Sequence, residues 1–385
     1  MYPKDTINHL ASAMTYRFSI LLLLSILSLT VKSQNNLAIS GKLTDEKNDP
    51  MPGTTVFLTG TKSITFVSGS GDFKLAGLTP GTYEIIAKMI GYEPFISSVK
   101  ITDKPVTLNI HLKPNSRQLN MVTIVADKNR PRYLAQFKQQ FLGQSGNVKY
   151  CKILNPEVLF LKFDKETKVL TASADEFLMI ENKALGYKIQ YLLSDFHYDN
   201  NTSIVSYQGF PSFIELKGTK KEEEFWLINR KKAYLGSSTH FLKAIYDHRV
   251  KEEGYLVFKL LNRPMQGIPD DHKIRKPVRV ENLPVLMDSL LTVADKNTVS
   301  LSYKDALYVI YKNEEEPQDY INLGYHIDIS AGHMETGQRS FVYPLTASIQ
   351  IDDKGRSDPA NGLFFEGYWA WEKMADFMPS EYEVH

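Results

Sequence analysis

The sequence predicts a mainly β chain with some α: an N-terminal seven-stranded β-sandwich followed by a β-rich α+β region. Three observations predict it. Between Leu37 and Leu112 apolar residues recur at every second position, and Gly, Pro, Asn or Asp break the runs at short intervals. From Val158 to Gln208, and again from Tyr255 onward, short runs of the same kind return. Two other stretches, starting at Pro131 and at Lys220, space their apolar residues for a helix instead.

Taken in order, the chain opens on a basic start at Tyr16 and Arg17, a mostly apolar run from Phe18 to Val31, and small or polar residues at Ser33 and Gln34. This is the layout of a secretory signal peptide over residues 1–33, cleaved near Ser33, with Met14 giving the more usual start. The apolar run is short of the roughly 20 residues that cross a bilayer. Residues 34–115 are the sandwich. Tyr83, Ile85, Ala87 and Met89 share one face of a strand, with Glu84 and Lys88 on the other, and Leu108, Ile110 and Leu112 repeat the alternation. Pro80 and Gly81 suit a type II turn, and Gly69 and Gly71 precede Phe73 and Leu75. Lys113 to Ser116 end the unit, and 116–130 is a linker or one extra strand.

The remaining region, 131–385, begins with a helix at Pro131, capped by Asp127 or Asn129, apolar at Leu134, Phe137, Phe141 and Leu142, and stopping near Gly143. Runs at Val158–Phe163, Val169–Ala174, Phe177–Glu181, Gly186–Leu193 and Ser203–Gln208 read as an antiparallel meander. A helix from Lys220 through Ala233 resumes after Gly236, with Ser237 or Ser238 as cap and Phe241, Leu242, Ile245 and Tyr246 on one face. Arg230, Lys231 and Lys232 read as a solvated basic run, and His240 and His248, eight apart, as surface residues. Further strands are expected at 278–280, 299–303, 306–311, 325–329 and 340–343, and Gly367 to Phe377 reads as a short helix or ordered tail.

Ile39 to Asp45, Pro50 to Val56, Gly71-Asp72-Phe73, Gly81-Thr82-Tyr83 and Gly91-Tyr92 together resemble the carboxypeptidase regulatory-like domain. The resemblance implies a transthyretin-like sandwich, found in secreted and outer-membrane proteins of the Bacteroidota. Leu119 to Ala126 resembles the stretch that follows this module in TonB-dependent outer-membrane receptors. About 260 residues remain after it, too few for the receptor barrel and interrupted by charged helical segments. The rest of the chain is similar to the C-terminal part of proteins known by that module alone, which implies an architecture and a compartment but no activity.

Composition excludes several chemistries. In 385 residues, 45 Lys and Arg stand against 44 Asp and Glu, a net charge of +1 that offers no field for nucleic acid. The single cysteine, Cys151, allows no internal disulfide and no multi-cysteine metal site, and reads as a small buried residue. No His has a Glu three residues on, so the zinc pair of a metallocarboxypeptidase is absent. The nucleophile elbow and the Gly-rich phosphate loops are missing too. The densest polar cluster is His326, Asp328, His333 and Glu335: in a strand, His326 and Asp328 share a face, and a turn at Gly332 brings the others alongside. It is a candidate divalent-metal or acid–base site, to be weighed against a hairpin with a polar face. Tyr368, Trp369 and Trp371 are candidate sugar-stacking rings, to be weighed against a capped core. Asp288-Ser289-Leu290 fits a short O-glycosylation acceptor pattern.

The sequence therefore reads as a non-enzymatic cell-envelope protein, in the periplasm or associated with the outer membrane. Its sandwich would be a binding or adaptor module for an envelope protein or glycan, without cofactor. The competing reading is an envelope hydrolase centred on His326 to Glu335.

Overall fold

The computed structural model describes residues 37–115, 127–265, 278–295, 297–324 and 336–384, and among these the strands pair into five sheets. The first two build the sandwich. Its strands are β1 (Leu37–Thr44), β2 (Thr55–Leu58), β3 (Ile64–Phe66), β4 (Asp72–Leu78), β5 (Gly81–Lys88), β6 (Phe95–Ile101), β7 (Val106–Thr107) and β8 (Ile110–His111). One sheet runs β4-β1-β7, with β8 also on β1, and the other runs β3-β2-β5-β6. Ile39, Leu43, Val56, Leu75, Ile85 and Ile101 fill the space between them. The period-two alternation thus does what it predicts, sending one set of side chains inward.

The seventh expected strand is split into β7 and β8, which keep one register along β1, Ile39 opposite Val106 and Leu43 opposite Ile110. The break has a local cause. The Leu108 carbonyl oxygen occupies the space that a Cβ on Gly41 would need, and the Asn109 side chain takes the Lys42 N–H in place of backbone. Only glycine lets the two strands approach this closely.

The second unit starts with α1 (Arg130–Leu142), followed by β9 (Cys151–Ile153), β10 (Leu159–Phe163), β11 (Val169–Ala174), β12 (Leu178–Asn182), β13 (Tyr187–Asp199) and β14 (Ile204–Glu215). Pro131 sits in the first turn of α1, and Tyr133, Phe137, Phe141 and Leu142 are its buried face. The strands are antiparallel but not the expected meander: the order is β10-β11-β13-β12-β9, with β14 on the free edge of β13. At 13 residues β13 is long enough to pair first with β12 and then with β11 along the same edge. Phe137 and Phe141 of α1 meet Phe196 and Tyr191 of that strand at 4.8 and 5.1 Å between ring centres.

Helices α2 (Lys220–Tyr234) and α3 (Ser238–Tyr246) follow, then β15 (Tyr255–Leu261), β16 (Arg279–Val280), β17 (Leu291–Asp295), β18 (Thr298–Leu301), β19 (Ala306–Tyr311), α4 (Gln318–Asn322), β20 (Gln338–Pro344), β21 (Ile349–Asp352), β22 (Ser357–Asp358), β23 (Leu363–Gly367) and α5 (Tyr368–Trp371). A five-stranded sheet, β16-β15-β19-β20-β23, faces a four-stranded one, β17-β18-β21-β22. Val257, Val309, Val342, Leu301 and Ile351 lie between them, closed at one end by Phe241 of α3 and Trp369 of α5. Every residue of β19 is buried, because its other face carries Tyr308 and Ile310 into a separate cluster with Phe258 and Phe341. The expected strand at 325–329 lies outside the described residues, as does 119–126.

Candidate functional site

A cleft of about 270 Å³ opens where the β13–β14 hairpin, the α2–α3 junction and the C-terminal segment meet. Tyr191, Tyr207, Gly209 and Pro211 come from the hairpin, Tyr234 and Ser237 to Thr239 from the junction, and Trp369, Glu372, Lys373, Asp376 and Phe377 from the C-terminal segment. Each wall has a local reason. A Cβ at Gly209 would run into the Tyr191 ring, so the glycine lets β14 cross that ring closely. Ser237 caps α3 by accepting from the His240 N–H, which turns the chain between the two helices. Trp369 donates its indole N–H to Gly236 O at 2.6 Å and its backbone N–H to Ser340 Oγ at 3.1 Å.

Beyond α5 the chain has little regular structure and is held by hydrogen bonds to four places. The Ala375 N–H donates to Leu142 O at 3.0 Å, and the Asn182 side-chain amide donates to Ala375 O at 2.9 Å. Asp376 Oδ1 accepts from Ser145 Oγ and Asn147 Nδ2, each at 2.9 Å. Further on, the Ser380 N–H donates to Gly60 O at 2.9 Å, in the sandwich, while the Gly60 N–H donates to Pro211 O at 2.7 Å. Three parts of the chain therefore brace one cleft.

Its electrostatics are unbalanced. Burial pushes Glu372 well above the usual carboxylate range, and the charges of Asp376 and Glu314 push the same way. Burial lifts Asp376 to about 6 against the opposing hydrogen bonds from Ser145 and Asn147. Asp376 Oδ2 is shielded from solvent and accepts no hydrogen bond among the described residues. Lys373 is drawn down to about 8 by burial, and its Nζ is turned to Gln140 Oε1 of α1, 3.4 Å away. Burial likewise raises the phenol of Tyr207 to about 12. The cleft can thus hold a polar ligand against aromatic walls, beside one carboxyl group, that of Asp376, which titrates at about 6, and a second, Glu372, held well above the usual carboxylate range.

The sequence candidates fall elsewhere. His326, Asp328, His333 and Glu335 lie outside the described residues. Among the described residues no group of three or more His, Cys, Asp or Glu is placed to hold a metal ion. Tyr368, Trp369 and Trp371 are 5%, 7% and 6% exposed, so the structure places these rings in a packed core and presents no open stacking face on them. Trp369 alone of the three lines the cleft. His240 corrects the surface reading: it is 4% exposed, because α3 turns that face onto Tyr255 and Tyr311. Its Nδ1 accepts from the Gly236 N–H and the Tyr255 hydroxyl, and its Nε2 lies 3.3 Å from Glu253. His248 is exposed and pairs with Asp288, inside the glycosylation-like tripeptide, at 2.6 Å. Cys151 is half-buried and its thiol is pushed up to about 12 by burial, which makes it unreactive. Sequence reasoning misses Glu372 and Asp376; the one available signal is charge set inside the aromatic run 368–377.

Residues 38–113 match the family model of the carboxypeptidase regulatory-like domain, a fifth of the chain. A viral protein named structural protein 27, from an isolate designated Australia/Victoria, is 27% identical over 139 residues, 35% of this chain and 26% of that protein. The chain thus spans about a quarter of the length of this curated relative. Among solved structures, a type II cohesin–X-dockerin complex of Acetivibrio cellulolyticus aligns at 20% identity and a TM-score of 0.18, over 20% of this chain and 56% of that one. A minor pilin of Streptococcus agalactiae aligns at 19% identity and a TM-score of 0.19, over 21% of this chain and 45% of that one. No helix among the described residues is long and apolar enough to cross a membrane.

Proposed function

We propose that this chain is an exported, non-enzymatic binding protein of the cell envelope, carrying a cleaved signal, an adaptor sandwich and a ligand-holding region from 131 onward. The observation that supports it best is the cleft itself: aromatic walls, a shielded Asp376 carboxylate oxygen that accepts no hydrogen bond among the described residues, and three braced segments. Ligand sites commonly combine apolar rings with a few placed polar groups in this way. The sandwich contributes a brace through Gly60, and its sheet β4-β1-β7 is the one offered to an envelope protein or glycan.

A thermal-shift panel of cell-wall peptides and glycan fragments tests the reading on the full chain. At least one compound is expected to raise Tm in the wild type and to lose that effect in Tyr207→Ala. A panel without any response, or a response unaltered by cleft substitutions, overturns it. The second reading, an envelope hydrolase of glycan or peptide, draws on the same two carboxyl groups, since acid–base pairs rely on unequal proton affinities in one site. Product release from a panel compound, abolished in Glu372→Gln, would replace the first reading.

A further inference from the structure

We infer that the cleft takes an organic cation, a primary ammonium on a flexible carbon chain such as a lysine side chain, with the carboxyl groups of Glu372 and Asp376 as its counter-charges. The inference rests on the binding reading and deepens it.

The acidic groups are short of partners. Glu372 donates its backbone N–H to Tyr368 O, but its carboxyl meets no hydrogen-bond donor or cation among the described residues. Asp376 has two side-chain donors on Oδ1, with the Lys373 backbone also favouring its charged form, while its Oδ2 accepts no hydrogen bond among the described residues. The cation that Asp376 feels, Lys232, is exposed on α2 and is the weakest influence on that group. Lys373 lines the same cleft, yet its Nζ reaches toward Gln140. Desolvated carboxyl groups left uncompensated destabilise a fold, because the water they gave up is not replaced. A bound ammonium, with three donors and one positive charge, supplies what both groups are missing.

The walls favour the same ligand. Tyr191, Tyr207 and Tyr234 line the cleft, and aromatic rings attract a cation to their electron-rich faces. Size sets the rest. A volume of about 270 Å³ is close to tenfold that of a water at roughly 30 Å³, and sits just below the small-molecule range of about 300 to 1,000 Å³. It admits one side chain or a small diamine, and excludes a folded partner.

Isothermal titration of the full chain tests this with Nα-acetyl-lysine amide and its neutral Nε-acetylated counterpart. The amine is expected to bind more tightly by roughly tenfold or more, the scale of one charge-assisted hydrogen bond. Glu372→Gln and Asp376→Asn should each stay folded, read by an unchanged or higher Tm, and lose most of that preference. Equal or stronger binding of the neutral compound, or a preference that survives both substitutions, overturns the inference. If the neutral compound binds and Tyr207→Ala abolishes it, the cation fails while the binding cleft stands. If neither compound binds, the cation is refuted, and the binding reading stands or falls on the panel above.

Discussion

Two residues of this protein pull its pH stability in opposite directions. Asp376 has a folded pKa of about 6 against an ordinary 3.8, so the folded state holds the proton more tightly than the unfolded chain. Stability from this group is therefore greatest below about pH 4, falls as pH rises to about 6, and stays reduced above it, by on the order of 2 to 3 kcal/mol. His240 does the reverse. Burial depresses it below 6.5, with Lys243 pressing the same way and Glu253 opposing, so the unfolded chain takes up the proton first and stability is lost as pH falls. Asp376→Asn keeps an oxygen for Ser145 and Asn147 and gives the orphan position an uncharged N–H group. We expect its Tm to exceed that of the wild type at pH 7.5, and the gap to close at pH 4, where both side chains are neutral. Equal pH profiles in thermal melts would refute the assignment. Other anchors are invisible in the sequence at this scale. Arg230 reads as part of a solvated basic run, yet it stacks on Tyr187 at 4.1 Å and donates to Leu185 O and Gly186 O. Nothing local marks an arginine for that role, because its partners lie more than forty residues upstream.

At the scale of single elements, local chemistry and outcome agree closely. The Thr219 hydroxyl accepts from the Glu222 N–H while the Glu222 carboxylate accepts from the Thr219 N–H, the reciprocal cap that starts α2. Glu222 is accordingly held below the usual carboxylate range by those Thr219 hydrogen bonds. Thr219→Ala should lower stability by about 1 kcal/mol, with Thr219→Ser close to wild type, read by denaturant melts. A null effect of alanine would mean that Trp226 anchors α2 alone, through its indole N–H to Lys183 O at 3.0 Å. The helix limits are equally legible, Gly143 after α1 and Ser237 before α3. Strand pairing is not. Val169–Ala174 is legible to the residue, but one of its partners is β13 rather than its next neighbour in sequence, since pairing depends on strand length and on which edge is free.

For the whole molecule, the decisive contact is between the sandwich and the unit after it. Strand β2 and the second half of β5 are buried on both faces: Val56 and Ile85 turn into the sandwich, while Phe57 and Ile86 turn out against Leu192, with Phe177 and Phe210 alongside. Burying three such side chains contributes roughly 1.5 to 3 kcal/mol each. Lys62 pairs with Glu215 across the seam at 3.2 Å, Lys100 with Asp295 at 2.8 Å, and Arg356 stacks over Tyr83 at 5.0 Å. The two ion pairs are exposed and add little by comparison. The expected result is one thermal transition for the wild type and two for Leu192→Asp, because a charge buried in the seam uncouples the units. A single transition in the variant would show that the seam does not couple them. The sequence by itself determined the sandwich, the places of the helices, the Ser237 cap of α3 and most strand positions, because alternation, turn residues and capping residues act over a few neighbours; the expected Asp127 or Asn129 cap of α1 does not form, since neither side chain accepts from the first turn. Only the tertiary structure decided that β13 serves two partners, that His240 is buried, and that Glu372 and Asp376 share one cleft. Those facts depend on segments far apart in the chain arriving at the same place, and no short window of residues encodes that.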